Sequence, residues 1–286
     1  MKNRRIEKFQ DELRSNKAAR LGVIFLVLIS LLAVFAFLSP YQPDAADVAA
    51  MFQHPTAVHW FGTDELGRDY LTRTIYGGRI SLAVGLLAMI ISTGIGVAVG
   101  TVSGYFGGKL DNFLMRTVDV ISSIPWMILV TVTSIYLTPG LFTVVLVISL
   151  FTWMNTARLI RAETLSAKER EYVLYAVSTG QSTFKIILKH IVPTVFPTLI
   201  VAATVNIANA IMMESALSFL GLGVQQPLSS WGSLLQNAQG NLENAPYMAV
   251  LPGVLIILTV YSFNKLSQAL RVLVEPKSGG NRQGVK

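Results

Sequence analysis

Residues 80–102 read ISLAVGLLAMIISTGIGVAVGTV and contain no charged side chain. A helix needs about 20 mostly apolar residues to cross the hydrocarbon core of a bilayer, and this stretch is long enough. Five more segments meet the requirement around it. LGVIFLVLISLLAVFAFL fills 21–38 and GLFTVVLVISLFTWMNTA begins the fourth at 140–157. The third, 117–137, is broken by Pro125, which is expected to kink it. The fifth, 193–216, carries Asn206, Asn209 and Glu214, and the sixth covers 247–266. Polar groups inside the third and fifth mark them as facing protein or water rather than lipid. The expectation is an all-α membrane protein with six transmembrane helices.

Composition agrees. Of 286 residues only 14% are charged, against about 25% in soluble domains. There is no cysteine, which excludes disulfides and thiolate metal sites. His54, His59 and His190 are too scattered for a metal cluster.

The net charge of +7 has a directional explanation. Seven Lys and Arg precede the first span, six lie between 158 and 192, two between 103 and 116, and five follow 264. Only Arg68, Arg73 and Arg79 fall on the other side, so 20 of 23 basic residues share one face of an even-numbered topology. Basic loops stay inside, and both termini are therefore cytoplasmic. Topology and anionic lipid account for the basic excess, which removes the case for nucleic acid as a partner. The basic tail is long for a signal peptide and the apolar core exceeds the usual 7–15 residues, so the first span is read as a retained anchor.

The organisation that follows is a cytoplasmic tail at 1–20, a membrane domain at 21–275 and a disordered tail at 276–286. External loops occupy 41–79 and 217–246. The cytoplasmic loop 158–192 is far longer than a simple connection requires. From 163 to 179 it reads ETLSAKEREYVLYAVST, where Leu165, Tyr172, Val173, Ala176 and Val177 recur at helical spacing. Gly180 is placed to stop that helix. STFKIILKHIV then gives a second helix, and Pro193 opens the fifth span, where its missing N–H is tolerated. Such an amphipathic element either lies on the membrane surface or docks a cytoplasmic partner; the residues alone leave both open.

Four motifs, in order, resemble one family. EYVLYAVSTG (171–180), followed by ten residues and Ile191-Val192-Pro193, resembles the cytoplasmic motif of permease subunits of ATP-binding-cassette importers. Glu171, Tyr172, Val173, Ala176 and Gly180 match it, whereas Leu174 replaces its usual glutamate and Tyr175 its first alanine. HWFGTDELGRDYLTRTIYGGRISLAVG (59–85), SGYFGGKLDNFLMRTVDVISSIP (103–125) and ESALSFLGLGVQQPLSSWG (214–232) resemble its other motifs. Together they are similar to the C-type subunit of the dipeptide, oligopeptide or nickel branch.

The resemblance implies a type I importer permease of the bacterial inner membrane. Its implied partners are a second permease, two ATP-binding subunits that carry ATP-Mg, and an extracytoplasmic binding protein. This chain would bind no cofactor and hydrolyse nothing. The short helix would couple to an ATPase through Glu171, Tyr172, Val173, Ala176, Gly180 and Pro193. Tyr172 is expected to anchor it, Glu171 to pair with a basic ATPase residue, and Gly180 to set the angle to the next helix.

Other positions invite separate readings. Glu214, a carboxylate within a span, is either functional or bound to Arg79 or a backbone group. Asn206 and Asn209 share a helix face and either line the pathway or bond a neighbouring helix. Arg116 and Asp119 are expected to pair. TDELGRD (63–69) is read as an outward-facing structural turn or a contact for the binding protein through Asp64, Arg68 and Asp69, with Trp231 a further contact; a metal site is less favoured. SGYFGGKL lacks the G-x-x-x-x-G-K-S/T of a phosphate loop, so ATP hydrolysis would fall to a partner. An ion-coupled carrier would need inverted repeats and several intramembrane charges, and neither is visible. Direct nickel binding would want His, Cys or carboxylate ligands, which the spans hardly supply.

Overall fold

The computed structural model describes residues 2–272, and every regular element among them is helical. The expected disordered tail at 276–286 lies outside the described residues. Helix α1 (Lys2–Ser15) precedes α2 (Lys17–Val34). The Asn16 side chain accepts the Ala19 N–H at 3.1 Å, the N-cap arrangement that satisfies an otherwise unpaired amide.

Helix α3 (Tyr70–Phe106) is 37 residues long, far beyond the apolar run that announces it. At ~1.5 Å per residue it overshoots a ~30 Å hydrocarbon core. The excess is at the outer end, where Asp69 caps the helix by accepting the Thr72 N–H at 2.8 Å. Helices α4 (Gly108–Ser122) and α5 (Trp126–Tyr136) follow, bent by 79° at the break between them. Pro125 is the N-cap of α5. Its ring cannot continue the α4 hydrogen-bond ladder, which is why a bend far sharper than a kink appears here.

Helix α6 (Leu141–Lys168) runs parallel to α3. Gly85 to Gly104 on α3 can be followed against successive neighbours: Ser149 bonds toward Ala88, while Gly96 meets Thr156, Gly100 meets Ala157 and Gly104 meets Thr164. Two parallel helices joined by residues 107–140 require the chain to return across the membrane between them. The bent pair α4–α5 is therefore one broken crossing and not a re-entrant loop, and the crossings number six.

The α3–α6 seam is close. A Cβ added at Gly96, Gly100 or Gly104 would lie 2.6–2.7 Å from Thr156 Cβ, Ala157 O or Thr164 Cβ. Small residues four apart let helix backbones approach in a membrane, where there is no hydrophobic force between helices to exploit. Val84 and Ala88 of α3 continue the core with Val144, Val145 and Ile148 of α6 and with Ala210 and Leu217 of α9 (Val192–Phe219). Helix α11 (Tyr247–Arg271) lies between α9 and α2, with Gly22 packed on Ser262.

The outer end is closed by α10 (Trp231–Gln239), whose start is held by reciprocal bonds between Ser230 and Ser233. At the inner end Arg161 of α6 grips Asp111 of α4 through two bonds of 2.5 and 2.6 Å. Asp119 pairs with Arg158 of α6 at 3.0 Å. The expected pairing with Arg116 is therefore corrected: α4 packs beside α6, so the acid reaches a cation 39 residues away instead of one on its own helix.

Candidate functional site

The cytoplasmic loop is built differently from the single 163–179 helix expected of it. Helix α6 runs to Lys168, and only Glu171–Ser178 forms the separate helix α7. Between them Arg170 is extended, at φ −73 and ψ 142. A straight continuation would carry Val173 and Ala176 into water. The turn folds them back onto Ile160, Ile186, Ile191 and Val195, and both side chains are 1% exposed. Burial of that apolar area, worth ~25 cal/mol per Å², decides where the helix breaks.

The helix stop has a specific geometry. Gly180 has φ +72, a conformation that costs a residue with a Cβ but not glycine. Gln181 N–H donates to Ala176 O at 3.1 Å and Gly180 N–H to Val177 O at 3.0 Å, the two bonds of a Schellman cap. The chain then enters α8 (Thr183–Ile186) and a wide turn at Ile187–Ile191, where Val192 N–H bonds back five residues to Ile187 O. Pro193 lies at the start of α9. Having no N–H, it cannot complete the ordinary ladder, and the turn widens just before it. The second helix thus runs into the fifth span without a gap.

Seen from the cytoplasm, α7 has two faces with different tasks. Val173 and Ala176 seat it on α6 and α9 and cannot touch a partner, which corrects their assignment as contact residues. Tyr172 is half-exposed, and its hydroxyl shares a 2.7 Å bond with Thr194 Oγ1, so it ties α7 to the foot of α9. Glu171 is exposed in the first turn, where a carboxylate suits the helix dipole. The free apolar surface is Leu174 (55% exposed), Tyr175 (70%) and Val177 (51%), continued by Phe184 (73%). Leu174 and Tyr175, the two departures from the motif, are the centre of that surface. The signal in the sequence was their excess over what one buried stripe can use.

The outer turn and α10 also exchange roles. Asp64 receives Arg68 Nε at 2.7 Å and faces Arg73 Nε at 3.2 Å, and its other oxygen accepts the Leu66 and Arg68 N–H groups at 2.9 Å. Asp69 pairs with His59 Nδ1 at 2.9 Å. All of these acids and Arg68 are buried. They are consumed in holding the turn, and the structural reading of TDELGRD replaces the contact reading. Trp231 is wholly enclosed: its Nε1–H donates to Thr74 O at 3.0 Å and its ring covers Gly78. It locks α10 to α3 and is corrected from contact candidate to interior wedge.

Glu214 is fully buried and makes no ion pair among the described residues, while Arg79 is exposed. It accepts Ser81 Oγ–H at 3.0 Å and Ser218 Oγ–H at 2.7 Å. Ser81 Oγ in turn accepts Trp231 N–H at 3.1 Å, and Ser218 Oγ accepts Val224 N–H at 3.1 Å. The carboxylate is thus the knot joining α3, α9 and the 220–232 loop, which corrects the expected tie to Arg79.

Asn206 and Asn209 face one cavity of about 490 Å³ between α6, α9 and α11. Asn206 is buried and donates to Thr156 Oγ1 at 3.0 Å, while Asn209 is exposed. Asn206 thus bonds a neighbouring helix, and among the described residues Asn209 leaves its amide free on the cavity wall.

Comparison with known proteins places these features. Residues 96–279 match the family model described as binding-protein-dependent transport system inner membrane component. Residues 9–55 match the N-terminal transmembrane domain of oligopeptide transport permease C. The oligopeptide transport system permease protein OppC of Bacillus subtilis is 38% identical over 265 residues, covering 92% of this chain and 87% of that protein. The dipeptide transport system permease protein DppC of the same organism is 39% identical, covering 93% of this chain and 83% of that one. OppC of Haemophilus influenzae is 39% identical, with 96% and 92% covered.

Proposed function

The chain belongs to the binding-protein-dependent transport system inner membrane components, and from that membership we propose that it is one of two permeases forming the pathway of an ATP-driven importer of di- and oligopeptides. The relatives named for oligopeptide and dipeptide transport support that cargo. Two cytoplasmic ATP-binding subunits carry ATP-Mg, and an extracytoplasmic protein delivers the peptide.

The observation that carries this reading is α7. It is a stiff helix, capped at its end by Gly180, seated by Val173 and Ala176 on α6 and α9, and showing Leu174, Tyr175 and Val177 to the cytoplasm. A rigid element with an apolar centre and charged edges, Glu171 and Arg170 among them, has the anatomy of an interface patch. Tyrosines are frequent anchors of such patches. Because α6 and the foot of α9 both hold α7, displacement of α7 by an ATPase moves two spans at once. ATP drives the change only through its preference for the closed ATPase pair, which biases the permease toward the outward-facing state.

The test is purification from native membranes followed by mass spectrometry of what accompanies the chain. A second permease, ATP-binding subunits and a binding protein with a peptide bound are expected. Recovery of the chain alone, or wild-type transport by a Glu171→Lys, Tyr175→Asp double variant, would sink the reading. A nickel chelate in the binding protein would keep the coupling and replace the cargo.

A further inference from the structure

The cavity beside Asn206 and Asn209 has a composition that points to its ligand. Besides aliphatic carbons its wall presents Asn155, Thr156, Thr198, Asn206 and Asn209, and at one end Arg271. No carboxylate lines it. Among the described residues Asn155 and Asn209 are exposed and make no side-chain hydrogen bond within the chain, and Asn206 uses only its NH₂ group, toward Thr156. The free groups are amides, each offering donors and an acceptor without charge. Such groups match the N–H and C=O of a peptide main chain and are indifferent to its side chains.

Size and direction agree. Thr198 and Asn209 are 11 residues apart on α9, or about 16 Å along the axis, which equals about five residues of extended chain at ~3.3 Å each. Arg271 is the last residue of α11 and lies at the cytoplasmic end. The cavity therefore runs from mid-membrane to the inner surface, neutral along its length and cationic at its mouth.

Resting on the proposed peptide cargo, we infer that this cavity is the chain's half of the exit path, where Asn155, Asn206 and Asn209 bond the main chain of an extended peptide and Arg271 draws its C-terminal carboxylate toward the cytoplasm. Side-chain selectivity is left to the binding protein. The permease supplies a wall that accepts any sequence and a charge that gives release a direction.

The experiment uses the complete complex, purified with its partners and reconstituted in liposomes with the binding protein outside. Uptake of Ala-Lys-Ala-Ala is compared with Ala-Glu-Ala-Ala, and tetra-alanine with its C-terminal amide. The binding protein is the same throughout, so a change in either ratio between variants originates in the permease. Asn209→Asp places a fixed negative charge on the path and is expected to raise the Lys-to-Glu uptake ratio at least tenfold. Arg271→Gln, at an exposed position, is expected to lower the free-acid-to-amide ratio at least threefold. If Asn209→Asp does not assemble, the Arg271→Gln ratio decides. Ratios unchanged within twofold in assembled complexes overturn the assignment of the cavity. A wild-type complex that imports neither peptide overturns the cargo itself and the assignment with it.

Discussion

Adding one carbon at Gly100 tests whether the α3–α6 seam holds the molecule together. The Cβ of a Gly100→Ala variant would lie 2.6 Å from Ala157 O, 2.9 Å from Ile160 Cβ and 3.0 Å from Arg161 N. Two of the three are backbone atoms, so no rotamer change clears the space. The closest contact is about 0.8 Å short of the 3.4 Å at which ordinary contact begins, and the helices must part by about that much. Overpacking of this kind costs about 1–3 kcal/mol. Separation also strains the bond from Lys168 Nζ to Gly104 O, now 3.1 Å. Gly253→Ala on α11 is the control, because its added Cβ meets nothing nearer than Leu235 at 3.9 Å and gains up to ~1 kcal/mol of helix propensity. Heating the detergent-solubilised complex and measuring what remains monodisperse gives the comparison. At about 2–4 °C per kcal/mol, Gly100→Ala should lose several degrees and Gly253→Ala none. Equal midpoints for the two variants would refute close approach as the basis of the seam.

Val173→Ala and Tyr175→Ala should separate the two faces of α7. The first opens a space under the helix and lowers thermal stability by about 1–2 kcal/mol; the second leaves stability alone and weakens retention of the ATP-binding subunits on size-exclusion chromatography. Trp231→Ala should cost about 3–5 kcal/mol and make the 220–232 loop susceptible to protease added outside. Glu214→Gln turns an acceptor into a donor facing Ser81 or Ser218, and a buried group left without a partner costs about 1–3 kcal/mol; Tm of the purified complex reads it.

The crossings were legible because hydropathy reports length and polarity, the two things a bilayer selects. Which side of a helix meets its neighbours was not. Val173, Ala176 and Val177 read as one apolar stripe until the neighbouring Ile160 and Ile186 bury the first two and leave Val177 free. Trp231 and the acids of the 63–69 turn look like surface groups because motif residues in loops invite a functional reading. Their partners, Thr74, Arg73 and His59, become visible only in three dimensions. Asp119 went to Arg158 instead of Arg116 for the same reason: local spacing proposes a pair, and packing disposes of it. The glycines at 96, 100 and 104 stand in plain view four apart, yet their meaning depends on which helix comes to lie against them. Extension of α3 back to Tyr70 was hidden by Arg73 and Arg79, charged residues that hydropathy counts against a helix but that the outer cap accommodates.

The parallel seam also has a mechanical consequence. Helix α6 is 28 residues long, a rod of ~42 Å, and two residues separate its inner end from α7. A tilt of about 10° at α7 would swing the far end through roughly 7 Å by simple leverage on that length. Since Gly96, Gly100 and Gly104 hold α3 along the same rod, the two would act as one spar, and α10, tied to α3 by Trp231 on Thr74 and Arg73 on Ser229, would travel with it. A small stroke delivered in the cytoplasm would thereby be multiplied at the opposite face of the membrane.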